Sequence, residues 1–91
     1  MADIPAANVV KVHRGLESNI VHLVYKVTGD ASGITITTAL SRILCHAVGN
    51  VSETAGYNPQ VTWVNAQGGT VVTYGAAPSS SAIHFLHLWG N

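Results

Sequence analysis

The feature that most limits how this chain can fold is a long uncharged stretch at its C-terminal end. Residues 54–91, 38 in all, contain no Asp, Glu, Lys or Arg, so every such charge lies before them. The stretch ends in the apolar run Ile-His-Phe-Leu-His-Leu-Trp. Because a soluble monomer normally carries charges of both signs over its surface, this stretch predicts a face that another subunit covers.

The size and composition of the chain predict one domain that gains support from association. Ninety-one residues supply a single core of marginal stability. Cys45 is the only cysteine, so no intrachain disulfide can form and oligomerisation is the readiest support. Charged residues make up 9% of the chain and the net charge is zero. This balance provides no electrostatic attraction to nucleic acid or to an anionic membrane.

Short alternating runs predict β-strands along most of the chain. In residues 20–27, apolar side chains recur at every second position, which is typical of a half-buried strand. Residues 60–65 and 70–74, separated by Ala-Gln-Gly-Gly, predict a β-hairpin. Residues 41–48 fit a strand or a short helix, and the abrupt end at Gly49-Asn50 favours a strand. The remaining predicted strands are 8–13, 34–38 and 82–89.

The predicted fold is all-β. Seven short antiparallel strands separated by turn signals are typical of a small β-sandwich or a jelly-roll-like barrel. Residues 8–91 form the single β domain, and residues 1–7, which hold Pro5 and small residues, form an extended N-terminal arm. Predicted turns and loops lie at 14–19, 28–33, 51–59 and 75–81.

The five histidines invite a metal interpretation, which the spacing does not favour. His84 and His87 are three apart and fall on opposite faces of a strand. His22 and His46 could meet across adjacent strands, but a zinc site needs three or four converging ligands. Hydrogen-bonding or interface roles are therefore preferred, and no metal or other cofactor is predicted.

Catalytic patterns are equally weak, and an enzyme is not expected. Cys45 and His46 are neighbours in sequence, so their side chains diverge on a strand and do not form a nucleophile–base pair. The four acids lie in the arm or in predicted turns. Neither a phosphate-binding glycine loop nor a dinucleotide-binding motif is present.

Targeting signals are also missing from the sequence pattern. The apolar runs are interrupted long before the length of a membrane-spanning helix. The first residues lack the basic start and apolar core of a signal peptide. The chain is therefore expected to be made in a cytoplasm, without membrane association.

The aromatic side chains of the last third allow two interpretations. They could form a sugar-stacking platform, as in lectins, or they could fill the core or a subunit interface. For a domain of this size the second is preferred. The residues predicted to form the interface are Trp63, Tyr74, Ile83, Phe85, Leu86, Leu88 and Trp89.

The second half of the chain has a distinctive layout. Gly33-Ile-Thr-Ile-Thr precedes a strand with Arg42, and a hairpin ending Val-Val-Thr-Tyr-Gly-Ala-Ala-Pro precedes Ile-His-Phe-Leu-His-Leu-Trp-Gly. This layout, over residues 33–91, resembles small virion proteins of tailed bacteriophages. Many of these are compact all-β chains with few charges, a Gly/Ala/Pro loop before the last strand and a very short tail.

The resemblance implies a structural protein of the virion, either a capsid decoration (cement) protein or a small tail component. It implies a homo-oligomer, with a trimer favoured, that binds the major capsid protein or another virion protein. It also implies an N-terminal arm that grips a neighbour, here through Asp3, Ile4 and Pro5, and it offers no catalytic residues. The alternative function is a small carbohydrate-binding or receptor-binding β module of a phage tail or fibre.

Overall fold

The strands of the protein are arranged in two antiparallel sheets. The computed structural model describes residues 3–51 and 60–91, and within them it has seven strands and no α-helix. The four-stranded sheet has the order β1-β2-β7-β4 and the three-stranded sheet has the order β3-β6-β5. The all-β prediction is confirmed, and the architecture is that of a small β-sandwich. The strands are β1 Val9–Glu17, β2 Ile20–Thr28, β3 Thr35–Thr37, β4 Ile43–Asn50, β5 Val61–Val64, β6 Val71–Tyr74 and β7 Ile83–Gly90.

The first two strands form a tight hairpin. Glu17 pairs with Ile20, so the connection is only Ser18-Asn19, and Ser18 has a φ of 55°. The predicted turn at 14–19 was therefore too long. The reason is that β1 is an edge strand, where the exposed Arg14 side chain stays in water while its backbone pairs with β2.

The other strand predictions agree closely with the structure. The segment that fitted either a strand or a helix is the strand β4. The hairpin of β5 and β6 is present, with Gly69 N donating to Ala66 O at 3.2 Å and Gly68 at a φ of 85°. Most of the predicted loop at 51–59 lies outside the described residues.

The last strand lies in the interior of the larger sheet. β7 pairs with β2 on one side and with β4 on the other. Its central place hides the main chain of an apolar strand that would otherwise attract other strands. The apolar run at the C-terminal end therefore forms an interior strand of the larger sheet.

The core lies between the two sheets and draws mainly on alternate residues of β2, β6 and β7. The predicted apolar face of β2 is buried, which confirms the period-two interpretation. Fully burying a large apolar side chain stabilises a fold by about 1.5–3 kcal/mol, so this shared interior is the main source of stability. The core cluster is Ile4, Val21, Leu23, Tyr25, Val27, Ile36, Leu40, Ile43, Val72, Tyr74, Leu86 and Leu88.

The described part of the N-terminal segment is docked on its own domain. Ile4 is 4% exposed, and its N–H donates to Thr35 O at 2.9 Å. The Thr35 hydroxyl donates to the Asp3 carboxylate, and the two residues form a parallel bridge at the edge of β3. A Cβ on Gly33 would lie 2.7 Å from Ile4 Cα, so the glycine permits this close approach.

This docking corrects the prediction of a gripping arm at Ile4, which is buried in its own core and is not available to a neighbour. Asp3 is bonded to Thr35 but is exposed, so its contact with a neighbour stays a prediction. Pro5 is exposed and leads into a short 3-10 turn, Ala6–Asn8. Met1 and Ala2, which were also assigned to the arm, lie outside the described residues.

Candidate functional site

Strand alternation divides the predicted interface residues of β7 into two groups. Ile83, Phe85 and Trp89 lie on the outer face of the four-stranded sheet and are half-buried. Leu86 and Leu88 lie on the inner face and are completely buried. The prediction of these two leucines as interface residues is wrong, because neighbouring residues of a strand point to opposite sides of a sheet. The other three remain candidates for contact with another protein.

The same alternation overturns the prediction for Tyr74 in the hairpin. Tyr74 points into the core and is 1% exposed, so it cannot form an interface. Trp63 also points inwards and is half-buried against the core. Its Nε1 donates to Ile43 O at 3.2 Å, and the His46 ring meets it edge-on with the centroids 5.6 Å apart. Trp63 therefore closes the side of the sandwich between β5 and β4.

The hairpin residues that do reach solvent are those between the predicted ones. Val64 and Val71 face each other across β5 and β6, and they are 85% and 42% exposed. Thr62 and Thr73 form the next cross-strand pair on this face. Sequence reasoning missed these four because it selected the largest side chains. Strand alternation could have identified them, because they are the residues that alternate with the inward-facing ones in β5 and β6.

The outer face of the four-stranded sheet carries a cluster of imidazoles around Trp89. The His22 ring stacks on the indole, with the centroids 4.5 Å apart and the planes at 5°. His22 Nε2 and His87 Nδ1 are 3.1 Å apart, which is hydrogen-bonding distance. The ring of His13 meets His22 edge-on, with a centroid distance of 5.4 Å. Three strands thus bring together side chains that are distant in sequence.

The electrostatics of this cluster favour the neutral form of one imidazole. Partial burial lowers the pKa of His87, and the nearby rings of His22 and His13 lower it further. Charged imidazoles at these positions would repel one another. The lowered pKa of His87 therefore favours an uncharged ring at this one position of the cluster.

The structure gives no metal-binding geometry to the histidines. Within the described ranges, no group of three or more His, Cys, Asp or Glu side chains could hold a metal ion. His84 and His87 lie on opposite faces of β7, as predicted. The contact considered between His22 and His46 is excluded because β7 separates their strands. His22 meets His87 instead.

The Asp30 carboxylate lies in a turn, and the Cys45 thiol lies on an exposed face of the larger sheet. The Asp30 carboxylate accepts hydrogen bonds from Gly33 N at 2.7 Å and Ser32 N at 3.1 Å. The first of these bonds is the main cause of the lowered pKa of Asp30, and the carboxylate serves to hold a turn. Cys45 is exposed on the outer face opposite Trp89. Among the described residues, no helix is long and apolar enough to cross a membrane.

Comparisons of the chain with protein-family models, with curated proteins and with solved structures found no match. The functional conclusion therefore rests on the surfaces described above. These are the Thr/Val face of the hairpin, the His/Trp face of the larger sheet and the edges of both sheets.

Proposed function

We propose that the protein is a structural subunit of a bacteriophage virion, a capsid decoration (cement) protein without catalytic activity. It associates with copies of itself and binds the major capsid protein or another virion protein. It is made in the host cytoplasm and acts in the assembled particle. The observation that carries this proposal is the exposed pair Val64 and Val71 on a face without charge.

The surroundings of this pair make it a contact surface rather than an isolated surface residue. Single exposed apolar residues are common on soluble proteins, but here two are directly opposed. The neighbouring pair, Thr62 and Thr73, is also uncharged. The solvent-facing side of β5 and β6 therefore carries no charged side chain. Burying such a surface against a neighbour yields about 25 cal/mol per Å² of apolar area, offset by the cost of ordering both partners.

A structural role also agrees with the surfaces formed by β7. Ile83, Phe85 and Trp89 present a second partly apolar face beside the imidazole cluster. Lys26, opposite Phe85, is a charged residue on this face. Two partly apolar faces on opposite sides of one small sandwich allow the subunit to contact two neighbours at once, as a cement protein does.

The test combines the native mass of the purified chain with its recovery on virus particles from infected cells. The expected results are a mass of more than one chain and sedimentation together with the virions. Val64→Asp should lose virion binding while it keeps the wild-type circular dichroism spectrum. Leu16→Asp is the matched control, because Leu16 is also exposed but lies on β1 opposite the inner-face Val21, outside both proposed contact faces. A chain that is monomeric and stays in the supernatant would refute the proposal.

The second candidate is a carbohydrate-binding module of a phage tail or fibre, and the position of Trp89 favours it. The indole is on the outer face, half-buried, and is flanked by the imidazoles of His22 and His87. Aromatic rings beside hydrogen-bonding groups can bind sugars. In a Trp63→Phe variant, the remaining Trp89 fluorescence should change on addition of a sugar if this function is correct. It should be unaffected if the protein is only structural.

A further inference from the structure

The larger sheet ends in an open edge at β4. β4 pairs with β7 on one side, and within residues 3–51 and 60–91 no strand pairs with its other side. β4 runs for eight residues, Ile43–Asn50, with a single irregularity between Ile43 and Cys45. A long strand edge of this kind offers a row of main-chain donors and acceptors to another strand.

The register shows which main-chain groups point away from β7. Val51 N donates to Ile83 O at 3.1 Å, and Arg42 and Asn91 exchange both of their main-chain hydrogen bonds. In an antiparallel ladder, residues that bond to the partner strand alternate with residues that point away from it. The residues of β4 whose N–H and C=O groups face outwards are therefore Ile43, His46, Val48 and Asn50.

The start of this edge is already occupied within the chain. Ile43 N donates to Asn65 Oδ1 at 2.9 Å, and Ile43 O accepts from Trp63 Nε1 at 3.2 Å. The side chains at the end of β5 thus satisfy the first outward-facing residue of β4. The groups of His46 and Val48 receive no such partner from the described residues. Among residues 3–51 and 60–91, the part of the edge without a partner strand is residues 44–50.

The other long edge differs from β4 in its protection. Both strands have one register shift, but β1 also carries Lys11 and Arg14, which are exposed. Charges of this kind discourage edge-to-edge pairing. β4 has no charged residue between Ile43 and Asn50. The third edge, β3, is bridged by Asp3 of the N-terminal segment.

We propose that β4 pairs antiparallel with β4 of a second copy across a two-fold axis, which joins two four-stranded sheets into one. This inference rests on the proposed function and identifies its self-association contact. A register centred on Val48 pairs Val48 with its own copy and His46 with Asn50 of the second copy. All outward-facing main-chain groups of these three residues are then bonded.

The two-fold contact is favoured because β4 is complementary to itself. An uncharged strand meets no like charge when it pairs with its copy, whereas pairing of β1 with its copy would bring the cations of two chains together. The contact closes on itself, so it stops at a pair of chains instead of extending into a filament. It predicts an even number of copies, in contrast to the trimer that the sequence resemblance implies.

The first test is the native mass of wild-type protein and of Ala47→Lys. Ala47 is exposed next to the proposed axis, so the substitution places a charge on the edge without disturbing the core. Wild type is expected to be dimeric or a multiple of a dimer, and the mass of the variant is expected to fall to that of one chain. Leu16→Lys, at an exposed position of β1, is the matched control and should keep the wild-type mass.

The second test is the hydrogen exchange of individual amides. The His46 and Val48 amides should exchange slowly in wild type and fast in Ala47→Lys. The Ala47 and Gly49 amides, which face β7, should be slow in both. If Ala47→Lys remains oligomeric, or if His46 and Val48 exchange fast in an oligomeric wild type, this inference is wrong while the proposed function stands. A monomeric wild type contradicts both.

Discussion

The hydroxyl of Tyr74 and the imidazole of His84 form a buried polar link between the two sheets. Tyr74 Oη and His84 Nε2 are 2.7 Å apart, and neither side chain is appreciably exposed. Tyr74 belongs to β6 of the smaller sheet and His84 to β7 of the larger sheet. A directional contact of this kind fixes how the sheets lie on each other, because burying either polar group without a partner is costly.

Removing this link should destabilise the fold. Tyr74→Phe keeps the ring but deletes the hydroxyl, and we expect a loss of about 1–3 kcal/mol in the free energy of unfolding. Urea denaturation of the two proteins measures the difference. Tyr25→Phe is the control, because the Tyr25 hydroxyl accepts a longer bond, 3.2 Å, from Ala39 N. An equal loss in both variants would mean that the link between the sheets has no special role.

Adjacent residues of β7 should respond differently to truncation. Leu86→Ala removes a fully buried side chain and should cost about 2–5 kcal/mol of stability. Phe85→Ala changes the half-buried outer face and should cost clearly less, while weakening association with other proteins. Thermal or chemical denaturation measures the first effect and native mass or virion binding the second. Comparable stability losses would contradict the assignment of inner and outer faces.

The stability of the protein should decline in mild acid because of His87. Its pKa is lowered in the folded state, so the unfolded chain binds the proton at a higher pH than the folded chain does. The stability from the neutral ring is present above the unfolded pKa of about 6.5. It is lost as the pH falls through the folded value. Urea midpoints between pH 8 and pH 5 should therefore decrease more in wild type than in His87→Gln, and parallel curves would refute this.

A glycine substitution should release the N-terminal segment from the domain. A Cβ on Gly33 would lie 2.7 Å from Ile4 Cα and 2.8 Å from Asp3 O, so Gly33→Ala must push the segment away. We expect faster proteolysis near the N-terminus and a stability loss of the order of 2–5 kcal/mol, as for removal of a buried Ile. Gly49→Ala is the control, because nothing lies within 4 Å of its added Cβ. Resistance of Gly33→Ala to proteolysis would show that the segment is not held by this contact.

Local patterns were sufficient to predict the strands but not their surroundings. Alternation in β2 and the Gly-rich turn before β6 identified elements that the structure confirms. They did so because side-chain period and turn conformation depend on residues close in sequence. The turn at 14–19 was wrong because the exposure of Arg14 depends on β1 being an edge strand, which is a property of the whole sheet.

The candidate sites could not be predicted from local patterns, because they are formed by residues that are far apart in the sequence. The stacking of His22 on Trp89 requires β2 and β7 to be neighbours, although 67 positions separate the two residues in the chain. The open edge of β4 exists only because β7, and no second strand of the described chain, lies beside it. Neither feature leaves a signal in a local window of sequence, because strand order is decided by packing.

The sequence by itself determined that the chain is all-β, that residues 60–74 form a hairpin and that its uncharged end contains a strand. Only the tertiary structure decided which side of that last strand is buried. Both faces of β7 are rich in apolar side chains, so alternation left the choice between them open. Packing against Val72 and Tyr74 placed Leu86 and Leu88 inside and left Phe85 and Trp89 on the half-buried outer face.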